Sequence, residues 1–288
     1  MNMHLFIMSV LTVLLAMSFP FAISEVLEAF TKCKEFFYKG QPPVISGILE
    51  THSRNNHYKI ICQKYHKMYK FATFYNTENR IPVFAAYKYT GQSTPFKRPR
   101  IPWMVEPQLD PPVDDMTLPY ANQAISEDYN NIRDHVNRGH LFPCGHAADE
   151  VTANSTFTLT NIVPQKISFN AGSWNRMEKE IKDIMNKYCY DNNEVLAHVL
   201  TGAIPGKSKL NERVNIPSYL WTAFCCYNST GNAWVSQAYW APNVGEDKNK
   251  VKTINKTSLQ ELQEFLSQQL MTKVQLFNNN CAKKHTTN

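Results

Sequence analysis

Between Asn137 and Glu178 the chain brings together a base, oxygen donors and several cations. His140 follows Arg138 and Gly139. A glycine there allows close backbone approach, and an arginine can hold a phosphate through two parallel hydrogen bonds. Further on, Asn161-Ile162-Val163-Pro164-Gln165 precedes a helical pattern that opens near Asn170 and carries Glu178 two turns later. Residues eight apart on a regular helix diverge by only about 80°, so Asn170 and Glu178 can face one cleft. An imidazole to take a proton, an oxygen ligand for a hard cation and positive groups to hold phosphate are what phosphodiester hydrolysis requires. The plainer reading is a surface His-Arg pair and an asparagine that caps a helix. Spacing alone favours the plainer reading.

Holding these residues in place takes strands and at least one helix. Residues 69–75 and 81–89 are rich in β-branched and aromatic side chains, and residues 76–80 supply a turn, which predicts a β-hairpin. Residues 156–163 alternate, with Phe157, Leu159 and Val163 on one side and Thr158 and Thr160 on the other. That predicts a strand, ended by Pro164. Trp174, Met177, Ile181 and Ile184 recur at helical spacing and predict a helix over about residues 169–188. Residues 195–200 read as a strand, and residues 221–227 and 233–240 as a second hairpin. Ser258 and Glu261 form a capping box ahead of a helix whose apolar face is Leu259, Leu262 and Leu266. Residues 91–120 contain seven prolines and are predicted to run irregularly over the surface, carrying Lys97, Arg98, Arg100 and Trp103. Strands and helices mix without regular β-α alternation, so the class is α+β. No repeat, low-complexity tract or Gly/Ser linker divides the chain, which predicts one domain over residues 25–288.

Residues 1–24 contain no Lys, Arg, Asp or Glu, and residues 5–17 are almost unbroken in apolar character. Ala22 and Ser24 place small side chains at −3 and −1 before Glu25, as a cleaved signal peptide requires. Residues 5–23 approach spanning length, but Pro20 beside the cut favours cleavage over an uncleaved anchor. No second run of spanning length follows, so the mature chain is expected to be secreted and extracellular, or endolysosomal, with no stable membrane partner. The net charge of +6 is compatible with a polyanionic partner without assigning one. A secretory route makes disulfides the default for the seven cysteines, and the odd count leaves at least one thiol unpaired within the chain. Sequons at Asn154, Asn228 and Asn255 are expected glycosylation sites.

Three blocks carry a family resemblance. They are Asn137-Arg138-Gly139-His140, Thr160-Asn161-Ile162-Val163-Pro164-Gln165, and Asn170-Ala171-Gly172-Ser173-Trp174-Asn175-Arg176-Met177-Glu178. In order and spacing they resemble the D-R-G-H, S-N-x-x-P-Q and N-x-G-x-W-x-R-x-E blocks of the DNA/RNA non-specific endonuclease family, which includes endonuclease G and secreted bacterial nucleases. The fit extends to Leu200-Thr201-Gly202 and to Ile216-Pro217, and so covers about residues 65–245. Cys33-x-x-Phe36-Phe37, Arg80-Ile81-Pro82-Val83, Glu106-Pro107-Gln108-Leu109, Cys225-Cys226 and Asn279-Asn280-Cys281 further resemble the endonuclease domain-containing 1-like subgroup.

The resemblance implies a mixed or antiparallel sheet core with a ββα-metal finger, stapled by disulfides. It implies His140 as general base and Asn170 as the direct ligand to one divalent ion, magnesium or another such as manganese. Magnesium suits a site with one protein oxygen, because it keeps most of its waters. Glu178 is implied to hold those waters. Asn161 falls at the family's cleft asparagine and Arg138 at its motif arginine. The family also has an arginine ahead of a W-x-x-D/E-P element that meets the scissile phosphate. The spacing to Trp103 differs by one residue here, which makes Arg100 the first choice and Arg98 the reserve. Lys182 matches a basic helix position, and Arg176 is a further candidate for substrate binding. The implied substrate is DNA or RNA without sequence preference, since contacts to sugar and phosphate carry no base information.

Two departures stand out. Asn137 occupies the place of the family's usual Asp, and so removes a carboxylate able to tune the base or the ion's field. Cys144 lies outside the subgroup pattern and is expected to be the free thiol, which leaves Cys33, Cys62, Cys189, Cys225, Cys226 and Cys281 as disulfide candidates. Cys33 with Cys62 is a local candidate pair, and adjacent Cys225 and Cys226 are expected to have different partners. His135, His140, Cys144 and His146 have spacings unlike zinc-finger patterns. The competing functional reading is a catalytically silent secreted protein that uses the cleft to bind nucleic acid or a protein partner. A structural extracellular module is a third.

Overall fold

Residues 81–89 alternate between two interiors. Ile81, Ala85, Tyr87 and Tyr89 enter one buried cluster, while Phe84 and Ala86 enter another. Such a strand must be covered on both faces. A computed structural model describes residues 24–50, 57–110, 120–130, 135–247, 249–277 and 281. Almost all of the predicted signal segment and the Asn279-Asn280 pair lie outside these. The elements used below are β1 (Glu25–Leu27), β2 (Tyr58–Tyr65), β3 (Met68–Asn76), β4 (Ile81–Tyr89), β5 (Val136–His140), α1 (Glu150–Ser155), β6 (Ile162–Lys166), α2 (Asn175–Tyr188), β7 (Ala197–Ile204), β8 (Tyr219–Asn228), β9 (Ala233–Pro242) and α3 (Leu259–Leu270).

Seven strands form one sheet in the order β1-β2-β3-β4-β7-β8-β9, and every neighbouring pair is antiparallel. On one face lie the two-stranded β5-β6 ladder and α2, whose Met177, Ile181 and Met185 enter the core with Trp174 just ahead of the helix and with Tyr87 and Phe224. The other face is covered by Phe30, Phe36 and Phe37 near the N-terminus and by Leu259, Leu262 and Leu266 of α3. The capping box of α3 is present: Ser258 Oγ accepts from Glu261 N at 3.1 Å, and Ser258 N donates to Glu261 Oε2 at 2.8 Å. Among the described residues no helix is long and apolar enough to cross a membrane.

Three disulfides join Cys33 to Cys62, Cys189 to Cys226 and Cys225 to Cys281, and Cys144 is free and buried. Adjacent Cys225 and Cys226 take different partners because neighbours on a strand face opposite ways. Cys225 lies in the α3-side core and Cys226 in the α2-side core.

Both predicted hairpins form, each slightly longer than its sequence signal. Of the 91–120 stretch, residues 91–110 and 120 are described and are irregular apart from a 3-10 turn at Pro107–Leu109 and a bridge between Met104 and Thr158. The run does not stay on the surface, since Met104, Glu106 and Leu109 are buried. The strand predicted over 156–163 lies elsewhere. Residues 159–161 form a 3-10 turn, and the strand begins at Ile162 and continues through Pro164. Proline is tolerated because β6 has a partner on one edge only. The Pro164 carbonyl points to the other edge and accepts from Asn243 Nδ2 at 3.0 Å, so its missing N–H removes no ladder bond. The helix predicted over 169–188 is not continuous. A wide π turn, Asn170–Trp174, precedes α2, and Gly172 departs from helical geometry with φ −97° and ψ −116°. Strands β2 and β5 escaped sequence reading. Gln63, Lys64, Asn137 and Arg138 interrupt their apolar patterns, and tertiary partners decide the pairing.

Candidate active site

One cleft of about 420 Å³ gathers Arg98, Arg138, His140, Asn170, Glu178 and Lys182. The β5-β6 ladder supplies the candidate base. His140 ends β5, its ring packed between Trp103 and Phe157 at centroid distances of 5.3 and 5.2 Å. Gly139 is required beside it, because a Cβ there would overlap the Gln165 side chain from β6. Burial, together with the positive field of Arg98, pulls the His140 pKa down to about 3. The imidazole is therefore neutral at neutral pH. Arg138 lies over Trp103 and Tyr129, at 5.6 and 5.2 Å, and its Nη2 donates to the Ser126 carbonyl at 2.8 Å. Aromatic faces and a backbone carbonyl thus hold its charge at the cleft.

The helix side supplies the oxygen donors. Asn170 opens the π turn and donates from Nδ2 to Asn137 Oδ1 at 2.7 Å, an orientation that assigns its amide nitrogen to β5. Glu178 lies on the first turn of α2. Burial pushes its carboxyl up to about 8, against the opposing pull of Trp174, Arg98 and Lys179. Lys182 reaches the Gly145 carbonyl at 3.1 Å and Gln92 Oε1 at 3.2 Å.

A family model of the DNA/RNA non-specific endonucleases matches residues 51–271. The chain belongs to that family. Its similarity to the endonuclease domain-containing 1 proteins covers most of its length. The Homo sapiens protein is 28% identical over 291 residues, covering 93% of this chain and 53% of that protein. The Mus musculus protein is 30% identical over 272 residues, covering 88% and 48%. The chain thus spans about half the length of the curated relatives it matches. A mitochondrial nuclease EXOG of Danio rerio is 37% identical over 75 residues, 26% of this chain and 21% of that protein. Among solved structures, a chain of the EndoG/EndoGI complex superposes with a TM-score of 0.54 at 17% identity, covering 70% of this chain and 82% of that one. At that identity the likeness concerns the fold.

At this cleft three sequence-based choices change. Both arginines are exposed, but Arg100 lines a separate recess with Lys97, Pro99 and Glu150, whereas Arg98 borders both recess and cleft, over the Phe157 ring at 5.3 Å. The course of the proline-rich run, not the spacing to Trp103, decides which arginine borders the cleft. Asn161 does not reach the cleft. It is fully buried, its Oδ1 accepts from Phe142 N at 2.9 Å, and its Nδ2 donates to Phe142 O and Thr156 O at 3.1 and 3.0 Å. It clamps the segment that follows His140. Arg176 also turns away, donating to the Lys252 carbonyl at 2.6 Å.

His146 was visible in the sequence only as a zinc candidate, and its place here is different. Its Nε2 lies 2.8 Å from the Glu178 carbonyl, which can only accept, so Nε2 carries the proton. Nδ1 then accepts from the Tyr87 hydroxyl at 2.9 Å. Through these two bonds His146 ties α2 to β4. No motif spacing signalled this.

The donor set suits a hard divalent cation. With the Asn170 amide nitrogen committed to Asn137, its carbonyl oxygen is the end left for a ligand, and Glu178 is a carboxyl that a nearby cation would help to ionise. Among the described residues no group of three or more His, Cys, Asp or Glu is placed to hold a metal ion. A single amide oxygen plus waters is the kind of site that magnesium accepts.

Proposed function

We propose that this chain is a secreted, divalent-metal-dependent endonuclease that hydrolyses DNA and RNA without sequence preference. The observation that carries the proposal is the single cleft in which a neutral, buried His140 meets Asn170, Glu178, Arg98, Arg138 and Lys182. Asn170 would hold magnesium or manganese, which when bound supplies positive charge to phosphate oxygens and to the leaving 3′-oxygen. Arg98 and Arg138 bind and orient the phosphate. Glu178 orients water in the cleft, and His140 takes the proton from the attacking water. A phosphate on Arg98 offsets the positive field on His140 and makes it a better base when substrate is bound. Lys182 extends the positive wall, and Asn170 acts from a turn tied back to β5.

Secretion is supported by the charge-free leading segment and by three disulfides, which form in oxidising compartments. Of the sequons, Asn255 is exposed, while Asn154 and Asn228 are half-buried. All three are proposed to carry glycans.

The test is plasmid and RNA digestion by the folded protein with magnesium or manganese, with and without a chelator. Cleavage that the chelator abolishes is expected. A cleanly folded protein that binds nucleic acid without cutting it would instead support the silent-binder reading, which Asn137 favours by leaving β5 without the family's usual carboxylate.

A further inference from the structure

The segment after β9 is fastened to the helical side of the cleft at successive points. Asn243 Oδ1 accepts from Lys166 N at 2.9 Å, and its Nδ2 donates to Pro164 O and Pro217 O at 3.0 and 2.9 Å. Three residues later, Glu246 N donates to Ser168 Oγ at 2.7 Å. The Glu246 side chain is only 6% exposed. Its carboxylate accepts from Ser173 N at 3.0 Å and from Ser173 Oγ, with Arg176 Nη2 at 4.0 Å. It also fills the space beside Gly172, where a Cβ would overlap Oε2.

These contacts fall on the π turn that carries Asn170. A π turn is rare and needs a local cause, and backbone N–H groups at the start of a helix need outside acceptors. A buried carboxylate at Ser173 N satisfies one of those groups and favours the positive end of α2. It also holds the backbone at Gly172, the residue at which helical geometry is lost. The direction in which Asn170 leaves the turn depends on where that break falls.

We propose that Glu246 is a positioning residue that sets the register of the Asn170–Trp174 turn and thereby aims Asn170 into the cleft. The link to metal binding rests on reading Asn170 as the ion ligand. Glu246 lies 76 positions beyond Asn170 and in none of the three motif blocks. It touches neither substrate nor ion and acts through Ser173 and Gly172.

The test uses the folded, disulfide-bonded protein with 15N label. Glu246→Ala is expected to speed hydrogen exchange of the Asn170 side-chain amide, now held by Asn137, about 10-fold, as loss of roughly one hydrogen bond's free energy implies. It is also expected to weaken the manganese-binding midpoint, read by water proton relaxation, by about the same factor. Glu246→Gln keeps an oxygen acceptor for Ser173 N and should restore both. If Glu246→Ala does not fold, Gly172→Ala crowds the carboxylate without removing it and should produce the same faster exchange. Unchanged Asn170 exchange in either folded variant overturns the proposal. If the wild type binds no manganese, the ligand reading of Asn170 fails, while the exchange result still decides the role of Glu246.

Discussion

Asn170 Nδ2 donates to Asn137 Oδ1 at 2.7 Å, which couples the helix-side candidate ligand to the strand that carries His140. The pairing gives a structural meaning to the residue that departs from the family's D-R-G-H block. Asn137→Asp keeps the acceptor and adds negative charge beside Asn170. A charge-assisted hydrogen bond and a more negative cleft should tighten divalent-ion binding by about 5-fold. Isothermal titration with magnesium and manganese measures this, and weaker binding would count against the ion lying near Asn170.

His140→Ala should lower cleavage by at least about 100-fold, the usual scale for a general base, while nucleic-acid binding changes little. Digestion rates and a filter-binding assay on the same preparation separate the two effects. A variant that cuts at the wild-type rate refutes the base assignment.

Arg98 and Arg100 can be told apart by their effect on His140. Burial and then the charge of Arg98 lower the imidazole pKa, and Arg98 borders the cleft with His140 whereas Arg100 lines the separate recess. Arg98→Ala should therefore raise the His140 pKa from its low value of about 3 and cut the cleavage rate about 10-fold or more. Arg100→Ala should do neither. NMR titration of the imidazole and plasmid digestion decide it, and equal effects from the two variants would return Arg100 to the site.

Glu106 is fully buried, with its Oε1 accepting from Gln108 N at 3.3 Å. Burial holds its carboxyl up at about 7, above the ordinary 4.5. The unfolded chain ionises this group first, so it costs no stability below pH 4.5 and destabilises progressively as pH rises towards 7. Glu106→Gln should raise stability by about 3 kcal/mol at pH 8 and leave it unchanged at pH 4. Thermal melts across that range check the sign, and a variant less stable at pH 8 would show that the ionised form is favoured.

Asn161→Leu removes an amide that serves three backbone groups in a fully buried position. Leaving those groups unpaired should cost about 3 kcal/mol in urea unfolding. A loss of cleavage with a stability change below about 1 kcal/mol would instead point to direct substrate contact.

Some of the fold is local in origin and was legible without coordinates. The hairpin around residues 76–80, the capped helix after Ser258 and the helical repeat of Trp174, Met177 and Ile181 each depend on a short-range period. The prediction failed where partners lie far apart in sequence. Pro164 reads as a strand end until Asn243, from the far end of the sheet, donates to its carbonyl. The helix reads as unbroken until Glu246 fills the space beside Gly172.

The sequence by itself determined the family and the α+β class, and it singled out His140, Asn170 and Glu178 as a candidate set, which the fold gathers in one cleft. Their types and order are covalent facts, and a motif records them directly. Only the tertiary structure decided which other residues join them. It set Arg98 rather than Arg100 at the border of the cleft, because a proline-rich run has no period from which facing can be read. It buried Asn161 as a clamp, and it recruited His146 and Glu246 to hold α2 and its opening turn. Those choices depend on what packs against each side chain, and packing is a property of segments brought together only when the chain folds.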